Sequence, residues 1–269
     1  MGRVLWLAVI CLGMAAVATA AELKPATAAA FDHYIQVTEQ GMSSEAPGKF
    51  LRVDSLPADQ RDAEYARLRA GEVISERLQT LENGKPIPLS YGMIHHWVGV
   101  AYVKGATLQK ALSFLQDYDH QAKYYSPDVQ SSKLLQRQGD EFKVFLRLRK
   151  HKVVTVLLNT EYDVRYTTID GSRSSSRSIS TRIAEVENAN NPDGPEKPIG
   201  NDDGYLWRLN SYWRFYEHDS GVYIQLEAIS LTRDIPTGLG WLVSPFVTSI
   251  PRESLAFTLT HTRDALQKP

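Results

Sequence analysis

The sequence almost lacks cysteine. Its single one, Cys11, lies in an apolar N-terminal stretch, so the rest of the chain has no disulfide, no thiolate metal site and no cysteine nucleophile. Long apolar runs are also missing. Beyond residue 20 nothing approaches the roughly 18 apolar residues that a membrane span needs. Charge bias is absent too, with 30 Lys and Arg against 31 Asp and Glu. That balance excludes the basic footprint of a nucleic-acid partner and electrostatic attachment to anionic lipid. There is no Gly-x-Ser-x-Gly elbow and no pair of ligating side chains at a recognised metal spacing, so no cofactor or metal is expected.

What is present is ordinary globular material, 269 residues with 43% hydrophobic and 23% charged. The first 20 residues read as a signal peptide. Arg3 supplies the positive start, Val4 to Ala16 the apolar core, and Ala18-Thr19-Ala20 the small-x-small cleavage signal. Cleavage after Ala20 predicts a periplasmic or secreted protein that must be stabilised by packing alone.

Residues 24–40 have Phe31, Tyr34, Ile35 and Thr38 at helical spacing. A second, polar helix is predicted from Pro57 to Ala70, then a short strand within Val73 to Leu81 and a turn at Asn83-Gly84. Tyr91 to Val103 is rich in aromatic and β-branched residues, as a strand is. Thr107 then reads as the N-cap of a helix to about Tyr118, with Leu108, Ala111, Leu112 and Leu115 on its buried stripe. Four or five strands follow, interrupted by a Pro- and Gly-containing loop over Asn188 to Asp203. An apolar loop from Ile235 to Leu242 leads to a last helix opening at Pro251, with Leu255, Leu259, Thr262 and Leu266 on one face.

Two hairpin registers can be predicted. A two-residue turn at Asp170-Gly171 pairs Tyr162 with Ile179, Thr160 with Thr181 and Leu158 with Ile183, leaving Ser176, Ser178 and Ser180 on a polar outer face. A turn at Asp219-Ser220 pairs Phe215 with Ile224, Trp213 with Leu226 and Ser211 with Ala228. It puts Glu227 opposite Tyr212 on an exposed face, diagonal to Arg214.

The order of elements resembles the helix-grip fold of the START and Bet v 1-like superfamily, which includes polyketide cyclases. The Gly221–Glu227 strand, the Ile235-Pro236 turn and the Ile250-Pro251 helix start carry the resemblance best. It spans about residues 87–269 as one START-like domain, preceded by a 21–86 N-terminal helical extension. The resemblance implies an α+β fold: a curved antiparallel sheet wrapped around a long C-terminal helix, with a cavity between them for an apolar ligand.

The small or hydroxylated Thr160, Thr181, Ser211 and Ala228 in mid-strand are consistent with such a cavity. Its expected lining is Thr160, Tyr162, Ile179, Thr181, Ser211, Trp213, Leu226, Leu255 and Leu259, with Trp241 on a gating loop. The leading expectation is a binder or carrier of an apolar small molecule or lipid. The rivals are a cyclase- or hydrolase-like enzyme using a cavity carboxylate or His, and an envelope module with a filled core. His95 and His96 fall on opposite faces of one strand and cannot share a metal. Asp117, Asp119 and His120 read as a helix end.

Overall fold

The structure, a computed structural model, describes residues 21–44, 48–152, 154–235 and 240–268, with the backbone alone for 240–248. Strand β1 (Ala21–Glu22) leads into α1 (Pro25–Ser43), a 3-10 turn (Arg52–Ser55) and α2 (Ala58–Arg69). Strands β2 (Ile74–Arg77), β3 (Leu81–Glu82), β4 (Lys85–Pro86) and β5 (Met93–Lys104) follow. Then come α3 (Leu108–Leu115), a 3-10 turn (Tyr118–His120) and the short α4 (Gln121–Tyr124). The long strands are β6 (Val129–Gln138), β7 (Glu141–His151), β8 (Thr155–Thr168) and β9 (Arg173–Glu185). After β10 (Asn201–Asp202), β11 (Arg208–His218) and β12 (Gly221–Thr232), the chain closes with α5 (Gly240–Gln267).

Eight strands form one antiparallel sheet in the order β2-β5-β12-β11-β9-β8-β7-β6. Thr107 caps α3 by accepting the Lys110 N–H. The α1 residues predicted to face inward are buried. Helix α5 starts at Gly240 rather than Pro251, and Pro245 lies within it. Proline's own φ is helical, so these two prolines mark lost hydrogen bonds and not the helix ends.

The β11–β12 register is the predicted one, with Ser211 opposite Ala228 and Trp213 opposite Leu226. Asp219 and Ser220 take φ of 55° and 58°, the left-handed pair that a type I′ turn requires. The β8–β9 register is different. Tyr162 pairs with Ser180, and Asp163 with Ile179. Asp170 and Gly171 stay out of the left-handed region. Instead the Asp170 carboxylate accepts the Ser172 N–H, an Asx turn that lengthens the loop and slips the register by one. A bulge between Glu161 and Tyr162 slips it again, so Thr160 meets Ile183 and Thr181 is extruded. Ser174, Ser176, Ser178 and Ser180 therefore share the face of Tyr162, Val164 and Tyr166, and Ile179 lies on the other.

Both faces of the sheet's centre are covered. On one, Leu255, Leu259 and Leu266 of α5 pack with α3 residues on Ala101, Val103, Ile224 and Leu226. On the other, α1 lays Phe31, Tyr34 and Ile35 on Tyr212, Ile229 and Leu231. Beside it Leu51, Val53 and Leu68 cover Val100, Tyr102 and Tyr223. Polar bonds fasten this outer cover. Gln225 Oε1 accepts the Arg52 N–H at 2.6 Å, Arg214 donates to Phe50 O at 2.8 Å, and Glu39 accepts from Arg177 and the Tyr212 hydroxyl.

Glu227, expected on an exposed face beside Arg214, is 7% exposed and lies 2.7 Å from His96 Nε2. The register that placed it opposite Tyr212 holds, but that face lies beneath α1. His96 Nδ1 meets the Tyr34 hydroxyl at 2.9 Å, and the Thr80 N–H donates to the same hydroxyl at 2.7 Å. The tautomer that satisfies every group has Tyr34 donating to Nδ1 and Nε2–H donating to the Glu227 carboxylate. Removing one partner of a buried pair leaves the other unsatisfied, so Glu227→Ala should cost about 3 kcal/mol. Chemical denaturation against wild type measures it; a loss under about 1 kcal/mol would mark the pair as exposed.

Candidate functional site

The inner face, gripped by α5, is built of rows that cross the sheet. One row runs His95, Ser230, Leu209, Ser180, Tyr162, Val144. The next runs Trp97, Ala228, Ser211, Ser178, Val164, Phe142, and the third Gly99, Leu226, Trp213, Ser176, Tyr166. The helix closes hardest on the third. A Cβ on Gly99 would lie 2.5 Å from a Leu255 methyl and 2.7 Å from a Leu259 methyl, so both leucines would have to shift to admit a side chain there. Tyr118 covers the far strands with Phe142, Val144 and Tyr162. The middle row is less completely covered: Trp97, Ala228, Ser211 and Ser178 are each half-buried, as is Trp213 beside them. Trp213 stacks on Phe215 at 6.0 Å between ring centroids. The wall is aromatic and aliphatic with hydroxyls set into it, the composition of a small-molecule site.

Several of these hydroxyls are spoken for. Ser174 donates to Thr167 O, Thr160 to Leu146 O, and Ser180 Oγ accepts the Leu209 N–H. Tyr118 and Tyr166 bond to each other at 2.9 Å, and Tyr125 bonds to Thr262 of α5 at 2.8 Å. Two are not: the Tyr162 phenol and the Ser176 hydroxyl are buried without a hydrogen-bond partner. Burial pushes the Tyr162 phenol up to about 12. His95 bonds to Thr232 Oγ1 at 3.0 Å, and burial, then the Arg77 charge, push it down to about 4.

Of the residues expected to line the cavity, Thr160, Tyr162, Ser211, Trp213 and Leu226 lie on the inner face, with Leu255 and Leu259 opposite. Two do not. Ile179 lines an open groove of about 650 Å³ against α1 on the outer face, and Thr181 is exposed at the bulge. The Trp241 side chain lies outside the described residues. The inward serines were missed because turn chemistry was weighed above alternation. Arg173 and Arg177 occupy the odd positions of β9, which leaves the even serines for the interior. Among the described residues no cluster of three metal-ligating side chains occurs. Asp117 and Asp119 are engaged instead by His120, Tyr124 and the Leu134 N–H.

His95 gives a pH dependence with a definite sign. Below its ordinary value near 6.5 the unfolded chain takes up a proton that the folded protein refuses until about pH 4. Its contribution is therefore whole above pH 6.5 and declines toward pH 4, by about 3 kcal/mol. His95→Gln should remove that share of the slope, read as the difference between the two proteins' denaturation midpoints at pH 7 and pH 4.5. Parallel midpoints would mean that His95 is protonated inside.

No family model matches the sequence, and no curated protein matches it. Solved structures do. A STAR-related lipid transfer protein fragment from Xanthomonas axonopodis is 18% identical, covers 72% of this chain and 99% of its own, and gives a TM-score of 0.47. The Zhui aromatase/cyclase from a Streptomyces species is 11% identical over 65% of this chain and 94% of its own, TM-score 0.43. Human STARD10 is 10% identical over 79% of this chain and 80% of its own, TM-score 0.43. Strand order, antiparallel registers and the long helix closing on Gly99 give this chain a helix-grip architecture, an antiparallel sheet closed on one face by a long C-terminal helix.

Proposed function

We propose that the chain binds and carries an apolar, lipid-like small molecule between its sheet and α5. The observation that carries this reading is the middle row of the inner face. Trp97, Ala228, Ser211 and Ser178 keep partial access to solvent where a filled core would bury them. An enzyme of the cyclase or hydrolase kind needs an acid–base pair inside the grip. The interior offers His95, held neutral and bonded to Thr232, whereas the His96–Glu227 pair is sealed under α1 on the opposite face. The carrier reading is therefore preferred.

We place the carrier outside the cytoplasm, after cleavage behind Ala20. Ala21, the first residue that cleavage would leave, pairs with Asp202 and packs against the α1 cover. N-terminal sequencing of the exported protein should begin Ala21-Glu22-Leu23; a sequence beginning at Met1 would remove the localisation.

Ser211→Trp should fill the partly open row beside Trp97 and Trp213. The expected result is lost binding of Nile red, a neutral apolar dye, with a melting temperature close to wild type. A close-packed interior would instead be overpacked at a cost of about 1–3 kcal/mol, and wild type would bind no dye; that pair of results would replace the carrier with a packed structural module.

A further inference from the structure

The interior differs from a purely apolar lipid pocket along one strand. Strand β9 presents Ser174, Ser176, Ser178 and Ser180 inward, and Tyr162 stands beside Ser180. A row of serines alone would mean little. What distinguishes this one is two hydroxyls taken out of water and left unsatisfied. Tyr162 is 6% exposed and Ser176 is 4% exposed, and neither the phenol nor the Ser176 Oγ has a partner. An unsatisfied buried hydroxyl destabilises the empty protein, a cost with no structural return unless something else completes the bond. Ser176 and Ser180 are four residues apart, about 13 Å along the strand, with half-buried Ser178 between them and Ser211 opposite Ser178. The polar edge is thus elongated and reaches the accessible row.

Its chemistry is neutral. Across the three rows from β5 to β7 the inward side chains carry no charge: His95 is held unprotonated, and the rest are apolar or hydroxylated. Arg77, opposite Trp97 on the edge strand, is exposed. A carboxylate or phosphate brought against Tyr162 and Ser176 would lose its hydration, and the cations on this face lie at its edges, Arg77 beside Trp97 and Lys150 at the end of β7, where Lys150 is already paired with Asp128. Tyr162, with its phenol raised toward 12, stays a donor at any physiological pH.

We propose, on the carrier reading, that the ligand is an uncharged amphiphile with an apolar body and hydroxyl or carbonyl groups along one edge. Tyr162 and Ser176 complete their hydrogen bonds to those oxygens, with Ser178 and Ser211 flanking them.

The test uses the mature chain and a flexible series of one length: dodecane, 1-dodecanol, 1,12-dodecanediol and dodecanoate, each displacing Nile red at pH 8. Affinity should rise by roughly fivefold per hydroxyl, the worth of one net hydrogen bond, and dodecanoate should bind more weakly than dodecanol. Tyr162→Phe and Ser176→Ala should each erase about one such step while leaving dodecane unaffected. Both variants should melt no lower than wild type, since each removes an unsatisfied buried group. Equal binding of dodecane and the diol, a preference for dodecanoate, or variants that keep the wild-type ranking would overturn the inference and leave the carrier standing. If neither Nile red nor any member of the series binds, the carrier reading falls and takes the inference with it.

Discussion

Strand β12 lies between β5 and β11, and of its twelve residues every one but Ala228 is buried. A strand buried on both faces needs two covers, and this chain takes them from its opposite ends. Helix α5 supplies one and the segment from α1 to α2 the other. The His96–Glu227 pair and Gln225 are polar groups under the outer cover, each met by a partner from that segment or a neighbouring strand, and Tyr223 donates to Asp219 at the turn while accepting from Arg69 of α2. The depth of the grip follows from the same strand. Leu226 and Gly99 lie side by side, and the absent side chain of Gly99 is what lets Leu255 and Leu259 settle there.

The two faces treat polarity differently. Outside, the hydrogen bonds join the cover to the sheet and leave His96, Glu227 and Gln225 satisfied, as a sealed interface requires. Inside, Ala228 and its row neighbours retain access, and Tyr162 and Ser176 keep unmet hydroxyls. A protein optimised for stability alone would fill the first and remove the second. The contrast separates an interior with unmet hydroxyls from an outer face whose buried polar groups beneath the cover are paired.

Much of this was legible in the residues. The buried face of α1, the Thr107 cap and the β11–β12 register each follow from local chemistry: an apolar stripe, a hydroxyl acceptor, and a turn pair able to take left-handed φ. The β8–β9 register was not legible from its turn, because Asp170 could either enter a type I′ turn or accept the Ser172 N–H, and side-chain competition decided it. Burial of Glu227 was missed because what covers it lies far away in the chain. A signal existed. Val98 to Val103 are apolar at odd and even positions alike, and Tyr223 and Ile229 bracket Gln225 and Glu227 on the odd positions of β12, the mark of strands covered on both sides. The short strand expected within Val73 to Leu81 is β2, which hydrogen-bonds to β5 as the edge strand of the sheet.

The pairing of β5 with β12 also bears on how the chain reaches its native state. Strands β6 to β9, and β11 with β12, are sequential hairpins whose contacts are local. Strand β5 must find β12 across more than a hundred residues, from Lys104 opposite Gly221 to Met93 opposite Thr232. Closing such a loop costs entropy that is recovered only when the covers arrive. High contact order of this kind slows folding. The hairpins are therefore the early structure. On contact order alone the grip, which needs β5 seated on β12, follows the hairpins.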